Sequence, residues 1–454
     1  MTRAVEVPFW LLVLIVLFAA VTFASHFLFP SVRWFLRRRA EGVVARLNTR
    51  LTRPIEPFKL ARRTDMIQRL VYDPAVAEAV VEHAKLTGVR EDVAFETARR
   101  YAREIVPGFS ATAYFGFAIR AARWLSRALY DVDADPQGAA RALERVPADA
   151  TVIFVMNHRS NMDYVLVTYL AGRASALAYA VGEWARVFPL NVLIRALGGY
   201  FIRRRSRNDL YRRVLARYVQ LAARAGVTQA VFPEGRLSLD GTLGPPKLGL
   251  LSYILSDVES PREVVFVPVG LAYDRVLEDR VLTARARDGS VPFRRALPVA
   301  MGFALKQVVG RLTRRLGKLG TAAVNFGTPV LLSEAGRDPE VLGARLMEAI
   351  GHNIPALPVP LVCLALERAG GTLDRAVLAD AVEDLDARLS ETGGRRGEAI
   401  VAQAEAALRP RNFVSMGDTW SIKPGQEDLM AYYARSLMHR LIKTDVEVAA
   451  TPQK

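Results

Sequence analysis

Val152-Ile153-Phe154-Val155-Met156-Asn157-His158-Arg159-Ser160-Asn161-Met162-Asp163-Tyr164-Val165-Leu166-Val167 runs through five apolar residues, a polar turn and a second apolar run. The first run predicts a buried strand and the second the start of a helix, with the turn as an elbow between them. His158 stands on that elbow, and Asp163 follows five residues later. On a continuous helix five residues turn through about 500°, which would point the two side chains apart. They meet only if His158 lies on the loop and Asp163 in the first helical turn. A carboxylate so placed fixes one imidazole nitrogen and leaves the other as a general base. Ser160-Asn161-Met162-Asp163 equally fits a capping box, in which Ser160 and the acidic residue satisfy orphan helix donors. Both readings stand on this stretch.

Outward from it, short apolar runs at 152–156, 176–181, 229–232, 264–269 and 322–326 alternate with helical stretches. That alternation predicts an α/β domain over 146–330, a mainly parallel sheet flanked by helices, with the site at the carboxyl ends of the strands. Helix signals at 75–88, 91–103 and 111–129 make 31–145 a basic, helical N-terminal region. Those at 339–350, 373–389 and 426–441 make 331–454 a helical C-terminal region.

The stretch 9–29 holds no Asp, Glu, Lys or Arg and is long enough to cross a bilayer, so 1–30 reads as a transmembrane anchor. Arg33, Arg37, Arg38, Arg39, Arg46, Arg50 and Arg53 follow it. The positive-inside rule then places the rest of the chain in the cytoplasm, on a single-pass anchor in the cell (inner) membrane. A cleavable signal peptide, cut near Thr22 and Ala24, is the alternative. The segment 31–51 fits either an interfacial helix on anionic lipid or a solvated helix with one apolar stripe. The 454 residues carry a net charge of +16, which predicts attraction to something anionic. No nucleic-acid motif, zinc spacing or repeat accompanies that charge, so anionic membrane lipid is expected and nucleic acid is not. The one cysteine, Cys363, lies in an apolar run and suits a core position.

Three more motifs carry chemistry. Gly198-Gly199-Tyr200-Phe201-Ile202-Arg203-Arg204 reads as a strand feeding an arginine cluster, and guanidinium groups grip phosphate bidentately. Arg205 and Arg207 read instead as a solvated basic face. In Phe232-Pro233-Glu234-Gly235-Arg236-Leu237-Ser238, Arg236 and Ser238 can donate to phosphate oxygens. Glu234 can accept from a hydroxyl or hold an arginine, and Gly235 lets the backbone come close to a ligand. Pro246-Lys247 follows, and later a buried strand runs through Val267-Pro268 toward Tyr273-Asp274.

In this order and at roughly these spacings, His158-x-x-x-x-Asp163, Gly199 to Arg203, Phe232 to Gly235 and Val267-Pro268 resemble the four blocks of the glycerol-3-phosphate/1-acylglycerol-3-phosphate acyltransferase superfamily. Phe201-Ile202-Arg203-Arg204, Pro246-Lys247-Leu248-Gly249 and Pro268-Val269-Gly270 look closer to its glycerol-3-phosphate acyltransferase branch. The resemblance covers about residues 150–275. It implies transfer of a fatty acyl group from acyl-CoA or acyl carrier protein to the sn-1 hydroxyl of glycerol 3-phosphate. His158 would be the base and Asp163 its orienting partner. Arg203, Arg204, Arg236 and Lys247 would hold the phosphate, with Glu234, Gly235, Ser238 and Pro268 also in the substrate site. Neither metal nor cofactor is expected. Lysophosphatidate is the alternative acceptor, and a non-catalytic binder of anionic lipid or nucleic acid is the alternative of another class. That last reading has no use for His158 beside Asp163. The chain also departs from the family pattern Glu-Gly-x-Arg-Ser, because the arginine position is Leu237. Either Arg236 or another basic group takes over, or phosphate binding is weaker.

Overall fold

The computed structural model describes residues 42–172, 174–182, 185–188, 190–203, 206, 208–257, 260–288, 317–389 and 394–450, with isolated positions before 42 and between 302 and 313. Met1–Pro54 and Ile55–Lys454 are two compact units. Most of the expected anchor at 9–29, much of 31–51, and Arg204, Arg205 and Arg207 lie outside the described residues. Among the described residues no single helix is long and apolar enough to cross a membrane. The bent pair Pro339–Asn353 and Pro358–Arg368 is apolar enough in composition, but most of its large apolar side chains lie in the core.

The larger unit is built on a sheet of eight described strands: β1 (Asp131–Ala134), β2 (Thr151–Met156), β3 (Ala178–Gly182), β4 (Gly199–Ile202), β5 (Gln229–Val231), β6 (Val264–Tyr273), β7 (Thr321–Phe326) and β8 (Val330–Leu331). Their order is β1-β7-β6-β2-β5-β3-β4, with β8 also on β6. β2 to β6 are mutually parallel; β7 and β8 run antiparallel to β6, and β1 runs with β7. β2 is central, paired on one side with β5 and on the other with β6. It is buried along its whole length, as a strand covered on both faces must be.

The period of two sends its side chains to two cores. Val152, Phe154 and Met156 face the helices Ile119–Leu129, Met162–Ala171, Pro358–Arg368, Gly397–Leu408 and Glu427–Ala450. Ile153 and Val155 face Arg63–Val71, Pro74–Thr87, Glu91–Ile105, Asp209–Arg224, Gly249–Leu255 and Pro339–Asn353. The helices of 63–105 therefore cover one face, and Ile119–Leu129 with most of the C-terminal helices the other. The boundaries expected at 145 and 330 do not divide compact units: Ile55–Lys454 is one body. A small antiparallel sheet, β9 (Thr372–Asp374), β10 (Val414–Ser415) and β11 (Thr419–Ile422), ties the C-terminal helices together in the order β10-β11-β9.

Pro268 lies inside β6, where its missing N–H would leave a gap in a ladder. Its carbonyl accepts from Gly327 N, so that edge faces β7 and β8. β8 pairs with β6 at 265–266 and β7 at 269–273, and Pro268 falls between the two. It is a hinge in the pairing and is absent from the lining of the main cavity.

Candidate active site

Because β2 to β6 are parallel, their carboxyl ends share one edge. The elbow after β2, Arg186 after β3, Arg203 after β4, the 232–247 loop after β5 and the end of β6 all gather there.

On the elbow, His158 Nδ1 lies 2.9 Å from Asp163 Oδ2. The helix Met162–Ala171 starts late enough for His158 to remain on the loop and Asp163 to occupy the first turn. The same Oδ2 accepts the backbone N–H groups of Arg159 at 2.7 Å and Ser160 at 3.0 Å. Oδ1 accepts the Tyr273 hydroxyl at 2.8 Å, from the end of β6. Burial, with the Asp163 carboxylate beside it, holds the Tyr273 phenol well above its ordinary value and keeps it a donor. Asp163 thus orients the imidazole and ties down the loop at once. The Ser160 hydroxyl accepts Met162 N at 3.1 Å, in the turn that leads into the helix.

With Nδ1 donating to the carboxylate, Nε2 carries the lone pair. Among the described residues no hydrogen bond occupies Nε2. The ring is walled by Phe232, stacked at 4.1 Å, and by Tyr164, edge-on at 5.5 Å. Glu278 closes the loop from behind: it accepts from Ser160 Oγ at 2.7 Å, and from the backbone and side-chain amides of Asn161 at 3.2 and 3.0 Å. Asn157 bridges to both the N–H and the C=O of Leu271, fixing β6 to the elbow.

A cavity of about 880 Å³ opens at His158. Its polar mouth carries Arg203, Arg212, Arg236 and Lys247. Its interior runs between the sheet, at Ile153, Val155 and Phe266, and the helices, at Leu215, Ile254 and Leu346. One end therefore suits an anion and the other an apolar chain.

Arg204 aside, which lies outside the described residues, the sequence-predicted residues fall into three groups. His158, Arg203, Glu234, Gly235, Arg236 and Lys247 line this cavity, with Arg236 and Lys247 exposed at its rim. Asp163 supports the lining from behind. Ser238 and Pro268 do not line it. Ser238 Oγ donates to Thr242 O at 2.8 Å and accepts Gly241 N at 3.1 Å, so its hydroxyl is engaged in the turn. Glu234 holds neither a hydroxyl nor an arginine. Its two oxygens accept His158 N at 2.8 Å and Gly244 N at 3.0 Å, pinning the 232–247 loop to the elbow. Burial pushes this carboxyl up, against the opposing pull of those two N–H groups. Gly235 takes φ +66°, and a Cβ there would lie 3.1 Å from Lys247 Cγ. Leu237, at the family's arginine position, is buried in the apolar core that lines the cavity wall.

Sequence reasoning missed Glu278, Asn157 and the role of Tyr273. Tyr273 lies 110 residues from Asp163, and only the β2–β6 register, Met156 opposite Val269, brings them together. Asn157, directly before His158, was the one signal close to the motif.

Residues 139–272 match the family described as Acyltransferase. A glycerol-3-phosphate acyltransferase of Pseudomonas fluorescens (strain Pf0-1) is 30% identical over 280 residues, 61% of this chain and 32% of that protein. One from Shewanella loihica is 27% identical over 450 residues, 90% of this chain and 53% of that protein. This chain thus spans about a third to a half of the length of these curated relatives. A solved 1-acyl-sn-glycerophosphate (LPA) acyltransferase from Thermotoga maritima is 21% identical, covering 56% of this chain and 79% of its own, with a TM-score of 0.32. That score is too low to bear on the site.

Proposed function

We propose that the chain, whose residues 139–272 match the Acyltransferase family, transfers a fatty acyl group from an acyl thioester to the sn-1 hydroxyl of glycerol 3-phosphate, giving lysophosphatidate. The observation that carries this reading is the His158–Asp163 pair at the junction between a cationic mouth and an apolar interior. The names of the curated relatives favour the same acceptor. Acyl-CoA and acyl carrier protein are the two donors to test.

In this mechanism the acceptor phosphate binds at Arg203, Arg236 and Lys247, and the acyl chain enters the apolar interior. His158 Nε2 takes the proton from the acceptor hydroxyl as its oxygen attacks the thioester carbonyl. A tetrahedral intermediate forms and collapses: the new C–O ester bond stays and the C–S bond breaks. The departing thiolate takes the proton back from Nε2. Asp163 holds the ring's tautomer and stabilises the imidazolium, as an aspartate does in a hydrolase triad. Much of the rate comes from holding acceptor and thioester together.

The test is acyl transfer by purified protein, with glycerol 3-phosphate and lysophosphatidate each offered acyl-CoA and acyl carrier protein. Wild type should acylate glycerol 3-phosphate, and His158→Ala should lose roughly 10²- to 10⁴-fold or more in kcat while still folding. Transfer to lysophosphatidate alone would replace the acceptor, and undiminished transfer by His158→Ala would remove the mechanism. We further propose that 9–29 anchors the protein with its catalytic unit in the cytoplasm, supported by the arginines that follow. Protease added outside intact cells should spare the large unit; its digestion would reverse the topology.

A further inference from the structure

Arg203 is held from outside the matched domain. Its Nε and Nη2 donate to Glu104 Oε1 and Oε2 at 2.8 and 2.7 Å, a bidentate pair. Glu104 comes from the helix Glu91–Ile105 and is itself buried. Its Oε1 also accepts Arg186 Nη1 at 2.7 Å, and its backbone carbonyl accepts Arg195 Nη2 at 2.9 Å. The Arg203 guanidinium lies over the edge-to-face pair of Tyr101 and Tyr211, 5.1 and 5.2 Å from their centroids. The Tyr211 hydroxyl meanwhile accepts Arg203 N at 2.9 Å.

One carboxylate facing two guanidinium groups leaves the cluster positive. Two edges of Arg203 are thereby distinguished. The Nε–Nη2 edge is occupied, whereas among the described residues Nη1 has no hydrogen-bond partner, and the residue lines the cavity. A free arginine would lose its rotamer freedom on gripping a phosphate; this one has already lost it. Taking as its basis the reading that Arg203 meets the acceptor phosphate, we propose that Glu104 is a positioning residue, fixing Arg203 by its Nε–Nη2 edge so that Nη1 is presented to that phosphate. Glu104 touches no substrate and acts only through Arg203.

A double-mutant cycle on the full-length protein tests this, with Glu104→Gln, Arg203→Ala and the pair. Glutamine keeps the shape but cannot accept from both nitrogens. Glu104→Gln should raise the glycerol 3-phosphate KM about tenfold, leave the donor KM unchanged, and add nothing on the Arg203→Ala background. A rise of equal size in both backgrounds, or none, would make Glu104 a purely structural tie. A fall in KM would mean that it competes with the phosphate, and either result overturns the proposal. Should Glu104→Gln fail to fold, Glu104→Asp retains the charge on a shorter arm and should show the same pattern; a wild-type KM there overturns it. If wild-type protein acylates no glycerol 3-phosphate, the proposed function fails separately. Calorimetric titration of the four proteins with inorganic phosphate then decides: weakening through Glu104 only when Arg203 is present supports the positioning role, and equal affinities reject it.

Discussion

A carboxylate removed from water must find its hydrogen bonds inside the protein, and Asp163 finds four donors: His158, Arg159 N, Ser160 N and Tyr273. Three hold the oxygen that faces the imidazole or its own loop. Tyr273 alone holds the other, so it sets the rotation of the carboxylate about its last bond. Tyr273→Phe keeps the ring and removes only that donor. We expect kcat to fall about tenfold or more, with both KM values near wild type, because a hydrogen bond to a charged carboxylate contributes about 1.5–3 kcal/mol and the ground-state contacts are untouched. A kcat within twofold of wild type would show that the loop N–H groups orient Asp163 unaided. At this scale the spacing of His158 and Asp163 was readable, since a loop-to-helix elbow is the local geometry that joins them. Ser238 was not: a hydroxyl two residues beyond Arg236 can face a ligand or close its own turn, and only the position of Thr242 O decides. Nor was the burial of Leu237, which depends on the core packed behind the 232–247 loop.

Strand β6 pairs with three others, β2, β7 and β8, and Asp274 follows its last residue. Asp274 Oδ2 accepts Thr321 N at 2.7 Å, at the start of β7. Oδ1 accepts Val359 N at 3.0 Å, in the first turn of Pro358–Arg368. Burial raises this carboxyl to about 6, and the two N–H groups offset the rise only in part. Its folded value therefore exceeds the ordinary value of 3.8, and between the two the folded state binds more protons than the unfolded. The resulting contribution to stability is full below about pH 4 and is lost as pH rises through about 6. Asp274→Asn abolishes this titration. The difference in unfolding free energy, wild type minus variant, should fall between pH 4 and 6 by at most about 1.4 kcal/mol per unit, then level off. A difference that stays flat across that range would mean Asp274 titrates as an exposed carboxyl does. The main strands and helices at this scale were legible from alternation and caps; 74–87, for instance, starts on Asp73 and ends at Gly88 with φ +69°. β1, β8 and the π-helical turn Thr112–Ala118 were not, because their short runs carry no period of their own and form against partners distant in sequence.

Over the whole molecule, the region that showed no role in the sequence supplies much of one core. Val359, Leu361, Ile400, Val401, Leu408, Phe413, Trp420, Leu437 and Leu441 are all buried in the core that includes Phe154 of β2. The C-terminal helix also reaches the site's supports. Tyr433 accepts Val276 N at 3.1 Å and donates to Asp279 at 2.6 Å, on either side of Glu278, which closes the elbow loop. Arg411 pairs with the same Asp279. Gly241, in the loop after β5, takes φ +89°, and a Cβ there would sit 1.8 Å from Tyr432 O. The loop that carries Glu234 is thus shaped to the C-terminal helix. A chain ending at residue 395 loses the helices Gly397–Leu408 and Glu427–Ala450 together with β10 and β11. Each buried Leu, Ile, Val or Phe contributes about 1.5–3 kcal/mol. Six of them amount to about 9–18 kcal/mol, as large as the roughly 5–15 kcal/mol by which a typical domain is stable. We therefore expect the 1–395 protein to be insoluble, or to lack a cooperative melting transition and acyl transfer. A soluble, cooperatively melting 1–395 that still acylates glycerol 3-phosphate would show that the C-terminal region is an appendage and that the sheet folds without its cover.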